Sequence, residues 1–146
     1  MGGPRTYLKR RSLLQGMLEG KAVFETIIHP TAFLAEDVEL GEGTIIYPYT
    51  VLLSGVSLGE HVTVLASSVL NHDASIGDWS LIASKVSVSG AVQVEDTCYI
   101  GSGSSLREGI RVRRGGLVAM GAAVVNDTEA YAVVGGVPGK TLRYQR

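Results

Sequence analysis

The chain of 146 residues is short of cysteine, aromatic rings and net charge. Its one cysteine, Cys98, excludes an internal disulfide framework and a zinc site built on several thiolates. Aromatics make up only 6% of residues, so a core must be filled by aliphatic and small side chains, which suits a thin, regular interior. A formal net charge of -1 argues against a general nucleic-acid binder and against a polybasic membrane protein. No run approaches the roughly 18 apolar residues of a membrane span. The basic N-terminus (Arg5, Lys9, Arg10, Arg11) is not followed by an export signal, because Gln15, Gly16, Glu19 and Gly20 interrupt it. A cytoplasmic protein is expected. Hydrophobic residues at 45% against 18% charged are ample for one packed domain.

A six-residue period dominates what is there. Stepping by six from Ile28 meets Leu34, Leu40, Ile46, Leu52, Leu58, Val64, Leu70 and Ile76, then Ile82, Val88, Val94, Ile100, Leu106, Val112, Val118 and Val124. All seventeen are Ile, Leu or Val, without a slip of register. The residue four places after each is small, as at Ala32, Thr44, Ser68, Cys98 and Gly116, with Ile110 the bulky exception. A step of six rotates around a 3.6-residue helix, so no helix buries these residues together. A long flat strand fails as well, since the large and small positions share parity yet never exchange size. Short strands separated by corners fit, with three hexads to a triangular coil. Residues eighteen apart then stack at the roughly 4.8 Å spacing of neighbouring strands, and the coils form a prism roughly 28 Å long.

Residues 28–129 are therefore read as an all-β parallel β-helix, flanked by a capping segment at 1–27 and a loop and tail at 130–146. Apolar spacing predicts a helix from Tyr7 to Leu18 and alternation predicts a strand from Ala22 to Ile28. Gly135-Gly136-Val137-Pro138-Gly139 breaks regular structure. Trp79 and Tyr99 fall on outward positions, where they are expected to line a crevice or contact between subunits.

The repeat places each histidine. His29 falls at the edge of the prism, His61 on an exposed corner, and His72 within Leu70-Asn71-His72-Asp73. Their separations of 32 and 11 are not multiples of eighteen, so they do not stack into a three-histidine zinc site, and no metal is expected. Eighteen residues after His72 stands Gly90, which puts an uncovered backbone N–H one strand spacing from the imidazole. Such a pair is suited to taking a proton and holding a developing oxyanion. Asp73 directly follows and is placed to orient the ring. Cys98, at an inward small position, reads as a core filler.

The stretches "IIHPTAFLAEDVELGEGTIIYP", "SSVLNHDASIGDWSLIA", "YIGSGSSLREGIRV" and "VVGGVPGKTLR" resemble the bacterial hexapeptide-repeat sugar O- and N-acetyltransferases over residues 20–143. That family includes sialic acid O-acetyltransferases and enzymes acting on UDP-linked 4-amino sugars. The resemblance implies a left-handed coil, an exception to the usual right-handed crossover. It implies acetyl-CoA as co-substrate, a homotrimer with active sites between subunits, a small sugar-like acceptor, and neither nucleic acid nor membrane as partner. The family's general base falls on His72, its following carboxylate on Asp73 and its backbone donor to the thioester carbonyl on Gly90. The pantetheine arm is implied to run past Gly101, Gly121, Val137 and Pro138. Transfer is expected by direct attack on the thioester, with no acyl-enzyme.

The chain departs from the pattern at the acceptor side. Asn71 stands where the family often has Glu. Leu65 and Leu81 stand where some amino-sugar enzymes use Asn and a second His. Those relatives also carry an N-terminal nucleotide-binding domain, of which residues 1–27 resemble only the last helix and strand. The alternative reading is a non-catalytic trimer that still binds CoA.

Overall fold

A computed structural model describes residues 3–17 and 24–145. Seventeen two-residue strands, from β1 (Ile27–Ile28) to β17 (Ala123–Val124), recur every six residues. They wind as a left-handed β-helix of about six turns whose strands form three lateral parallel sheets. Face A contains the strands ending at Ile46, Val64, Ile82, Ile100 and Val118. Face B contains those ending at Leu34, Leu52, Leu70, Val88, Leu106 and Val124, and face C those ending at Leu40, Leu58, Ile76, Val94 and Val112. Pairing joins residues eighteen apart, as Ile28 with Ile46, Leu34 with Leu52 and Leu40 with Leu58. The expected stacking holds throughout the prism.

The second residue of each strand points inward and is position one of its hexad. Ile46, Leu52, Leu70, Ile82, Ile100 and Leu106 are all fully buried in one continuous core. Each such side chain contributes about 1.5–3 kcal/mol through removal from water. The small residue at position five closes the corner, and here hydroxyls have a second task. Ser68 Oγ donates to Ala83 O at 2.7 Å and Ser80 Oγ to Glu95 O at 3.0 Å, while each also accepts a backbone N–H from the next coil. Buried corner groups are thus paired from within. Cys98 occupies the same position; burial pushes its thiol up to about 12, with its Sγ 3.2 Å from Arg113 O.

The turn itself lies at position four. From Gly43 to Gly121 every sixth residue has φ between 54° and 74°, as the second central residue of a type II turn requires. Eight of these fourteen are not glycine, among them Tyr49, His61, Asp73 and Trp79. A side chain there costs about 1–2 kcal/mol. A backbone bond to the preceding coil offsets part of it, as Asp73 N to Ser54 O at 3.0 Å and Ala91 N to His72 O at 2.9 Å.

The described N-terminal residues form a short 3-10 turn at Tyr7–Lys9 and α1 (Arg10–Met17), close to the expected helix. Leu18 and the start of the expected strand, Ala22 and Val23, lie outside the described residues. The described residues of the N-terminal segment lie against face A through Tyr7 and Arg10. Tyr7 is 2% exposed, packs on Tyr99, Leu117 and Val133, and donates its hydroxyl to Gly115 O at 2.7 Å. Burial, followed by the nearby Cys98, raises its phenol well above the usual range. Arg10 Nη2 donates to Thr63 Oγ1 at 2.6 Å. At the first coil Ile27 and Phe33 remain more than half exposed.

The structure corrects three expectations. His61 is not on an exposed corner: it is 8% exposed, stacked on Trp79 with ring centroids 4.0 Å apart and met edge-on by Phe24 at 4.5 Å. Trp79 and Tyr99 do point outward, yet the chain's own residues pack on them: Trp79 is 7% exposed and stacked on His61, and Tyr99 lies against Tyr7 and Leu8. Residues 130–146 are not only loop and tail. β18 (Ala132–Gly135) continues face A parallel to Leu117–Val118, and β19 (Lys140–Tyr144) pairs back on it antiparallel. The Gly-Pro stretch is the turn of that hairpin.

Candidate active site

The corner between faces B and C carries the residues with chemistry. Leu70 anchors it inward and fully buried Ala74 closes it, so the three residues between are forced to the surface. Asn71 holds the turn in place: its N–H and its side-chain amide both donate to Val88 O, at 2.9 and 2.8 Å. Its amide is thereby committed to the backbone of the next coil.

His72 projects from this corner with a side chain 59% exposed. Its Nδ1 lies 3.0 Å from Asp73 Oδ2. With Nδ1–H donating to the carboxylate, Nε2 keeps its lone pair and is the atom able to take a proton. Both groups are well solvated, so the pair adds little stability, about 0–1 kcal/mol. Its effect is on ring orientation. Asp73 lies over Gly55, which leaves room for it where a Cβ would collide with Asp73 Oδ1.

The imidazole leans on Gly90, where a Cβ would collide with His72 Nε2. Gly90 has no left-handed φ, so glycine is demanded there by the ring of His72 and not by the backbone. Its carbonyl accepts Gly109 N at 3.0 Å, whereas its N–H has no acceptor among the described residues. A proton acceptor and a free backbone donor therefore share one spot on the surface. Such a pair can deprotonate a nucleophile and hold the oxygen of the carbonyl it attacks.

The other expected site residues lie elsewhere on this chain. Leu65 and Gly101 occupy the corner between faces A and B, as does Gly121. Gly101 is buried, and a Cβ on it would stand 2.6 Å from Met120 N, so close packing of the next coil already requires glycine there. Gly103 and Gly121 are open, with nothing within 4 Å of where a Cβ would stand. Val137, 76% exposed, and Pro138 form the turn of the C-terminal hairpin. Leu81 faces outward on face A and is buried, remote from the His72 corner. The structure thus brings together Asn71, His72, Asp73 and Gly90, and separates them from the rest. The described residues contain no group of three His, Cys, Asp or Glu side chains able to hold a metal, and no helix long and apolar enough to cross a membrane.

Among solved structures, the acetyltransferase domain of PglB from Neisseria gonorrhoeae superposes with a TM-score of 0.89 at 24% identity, over 94% of this chain and 67% of that one. The fold is that of the hexapeptide-repeat acetyltransferases. WeeI from Acinetobacter baumannii gives 0.89 at 26% identity over 94% and 67%. PerB from Caulobacter crescentus, solved with CoA and GDP-perosamine, gives 0.88 at 23% over 92% and 65%. The PglB domain has also been solved with acetyl coenzyme A. A curated relative, the 2,3,4,5-tetrahydropyridine-2,6-dicarboxylate N-acetyltransferase of Staphylococcus aureus, is 44% identical over 52 residues, 36% of this chain. That match spans 22% of the relative's length. No family model matches the chain.

Proposed function

We propose that the protein is a hexapeptide-repeat acetyltransferase that moves the acetyl group of acetyl-CoA to the amine of a small, sugar-like acceptor. The observation that carries this reading is His72, oriented by Asp73, lying against the free N–H of Gly90. An amine is preferred to a hydroxyl because the Staphylococcus and Caulobacter relatives are N-acetyltransferases.

The residues present fit acetyl-CoA: Gly90 offers an unclaimed donor, and open Gly103 and Gly121 leave a smooth path for a narrow arm. His72 Nε2 takes the proton of the acceptor amine as its nitrogen bonds to the thioester carbon. The carbon–sulfur bond breaks, and the imidazolium, balanced by Asp73, returns the proton to the departing thiolate. Gly90 N–H donates to the carbonyl oxygen while it carries negative charge, a contribution of about 3 kcal/mol in comparable sites. Cys98, buried and with its thiol pushed up, takes no part.

The separation of the two residue sets supports a site shared between copies. His72 lies on one corner, whereas Leu65, Gly103 and Gly121 lie on another. A single ligand meets both where the corner of one copy faces the other corner of its neighbour, as in a cytoplasmic homotrimer. Face B, which separates the two corners, presents Val51, Val69, Ser87, Ser105 and Ala123 and no charge to such a neighbour.

The test is release of free CoA thiol across a panel of nucleotide-linked amino sugars. His72→Ala should lower kcat about 10^3-fold while the CoA-dependent rise in melting temperature persists. Undiminished turnover in the variant would contradict the reading. Stabilisation by CoA with no transfer to any acceptor would favour the non-catalytic trimer.

A further inference from the structure

At the corner between faces C and A, carboxylates reach back by one coil. Glu42 Oε1 accepts from Phe24 N at 2.9 Å, Asp78 Oδ1 from Glu60 N at 2.8 Å, and Asp96 Oδ1 from Asp78 N at 3.1 Å. In each case the donor is the outward N–H at position three, and the acceptor belongs to the residue eighteen places later. The relation is geometric: the corner leaves that N–H unpaired by backbone and aims it at the next side chain in its column.

The column on the His72 corner reads Glu36, Ser54, His72, Gly90, Glu108 and Asn126 at the same position. Its backbone ladder is the same, with Ala91 N to His72 O at 2.9 Å and Gly109 N to Gly90 O at 3.0 Å. Glu108 therefore has the same eighteen-residue register to Gly90 that Glu42 has to Phe24, although its carboxylate is not on the Gly90 N–H in this structure. Its side chain is exposed, and the following Gly109 adds no side chain beside it. Arg107 and Gly109 flank it, and Asn126 is the next side chain in the column.

We infer that Glu108 is a gate on the acetyl-donor side of the site: its carboxylate closes on the Gly90 N–H, and a thioester carbonyl must displace it. This rests on the acetyltransferase reading above. A carboxylate left beside Gly90 would compete for its N–H and repel a negative carbonyl oxygen. Free CoA has no thioester carbonyl and does not contest that N–H. Glu108 thus discriminates acetyl-CoA from CoA without touching the acceptor.

The experiment compares the KM of acetyl-CoA with the calorimetric Kd of CoA for wild type, Glu108→Ala and Glu108→Asp. Glu108→Ala should lower the KM about five-fold and leave the Kd of CoA unmoved. Glu108→Asp should restore the wild-type KM, since aspartates close the same geometry at positions 78 and 96. A KM that is unchanged or raised in Glu108→Ala overturns the gate. So does an equal shift for CoA, which would report bulk charge. If wild type turns over normally and only these differences are missing, the gate alone falls. If wild type neither binds nor turns over acetyl-CoA, the reading beneath it falls too.

Discussion

His61 and His72 each lean on a glycine one coil away, yet one is walled in and the other is open. A Cβ on Gly43 would collide with the His61 ring, as one on Gly90 would with the His72 ring. His61 sits at position four of its hexad, between Trp79 and Phe24. The carboxylates of Glu42, Asp78 and Asp96 hold the neighbouring N–H groups of that corner. His72 sits at position three of an uncovered corner, and the N–H beside it is left free. The same coil thus makes a packed joint where side chains fill every place and a reactive spot where one is missing. Chemistry on this scaffold comes from what is left out.

Substitutions at the two glycines sharpen that contrast. Gly90→Ala should push the imidazole from its resting place and lower kcat/KM for acetyl-CoA about 100-fold, with the melting temperature nearly unchanged. Steady-state kinetics and calorimetry on the same preparation check both halves. Gly43→Ala should do the reverse, because it strains a backbone at φ +69° and displaces a buried ring. A loss of about 2 kcal/mol in denaturant unfolding, with turnover retained while the fold persists, is expected. Loss of activity in a folded Gly43→Ala protein would erase the distinction between the corners.

Two smaller effects probe the covered side. Tyr7→Phe removes the bond to Gly115 O and leaves a buried carbonyl short of a donor, worth about 1 kcal/mol in urea unfolding. Cys98 gives a pH dependence. Its folded thiol titrates near 12 against an ordinary 9.0, so the folded state holds the proton more tightly than the unfolded one. The resulting stability is complete below about pH 9 and is lost as pH rises toward 12. The melting temperature should therefore fall over that window, and fall less in Cys98→Ala.

Much of this is legible in the sequence, and for a physical reason. Inward aliphatics on a six-residue period leave a strict trace, and the eighteen-residue stack follows from three hexads per coil, which put His72 beside Gly90. The left-handed turns at position four leave a trace as well, in glycines at 43, 55, 103, 109, 115 and 121, but the side chains at Tyr49, His61 and Trp79 mask it. The fate of His61 and Tyr99 is hidden because it depends on residues outside the repeat. Tyr7 and Phe24 reach them through contacts that no period encodes. The hairpin of β18 and β19 is hidden by its glycine-proline turn, which reads as an interruption when the pairing partners are unknown.

The location of a bound thioester is the most direct measurement. A crystal structure with acetyl-CoA and an inactive acceptor analogue should place the carbonyl oxygen about 3 Å from Gly90 N, with His72 Nε2 facing the analogue's amine. A thioester bound away from that corner, in a fully occupied complex, would contradict it.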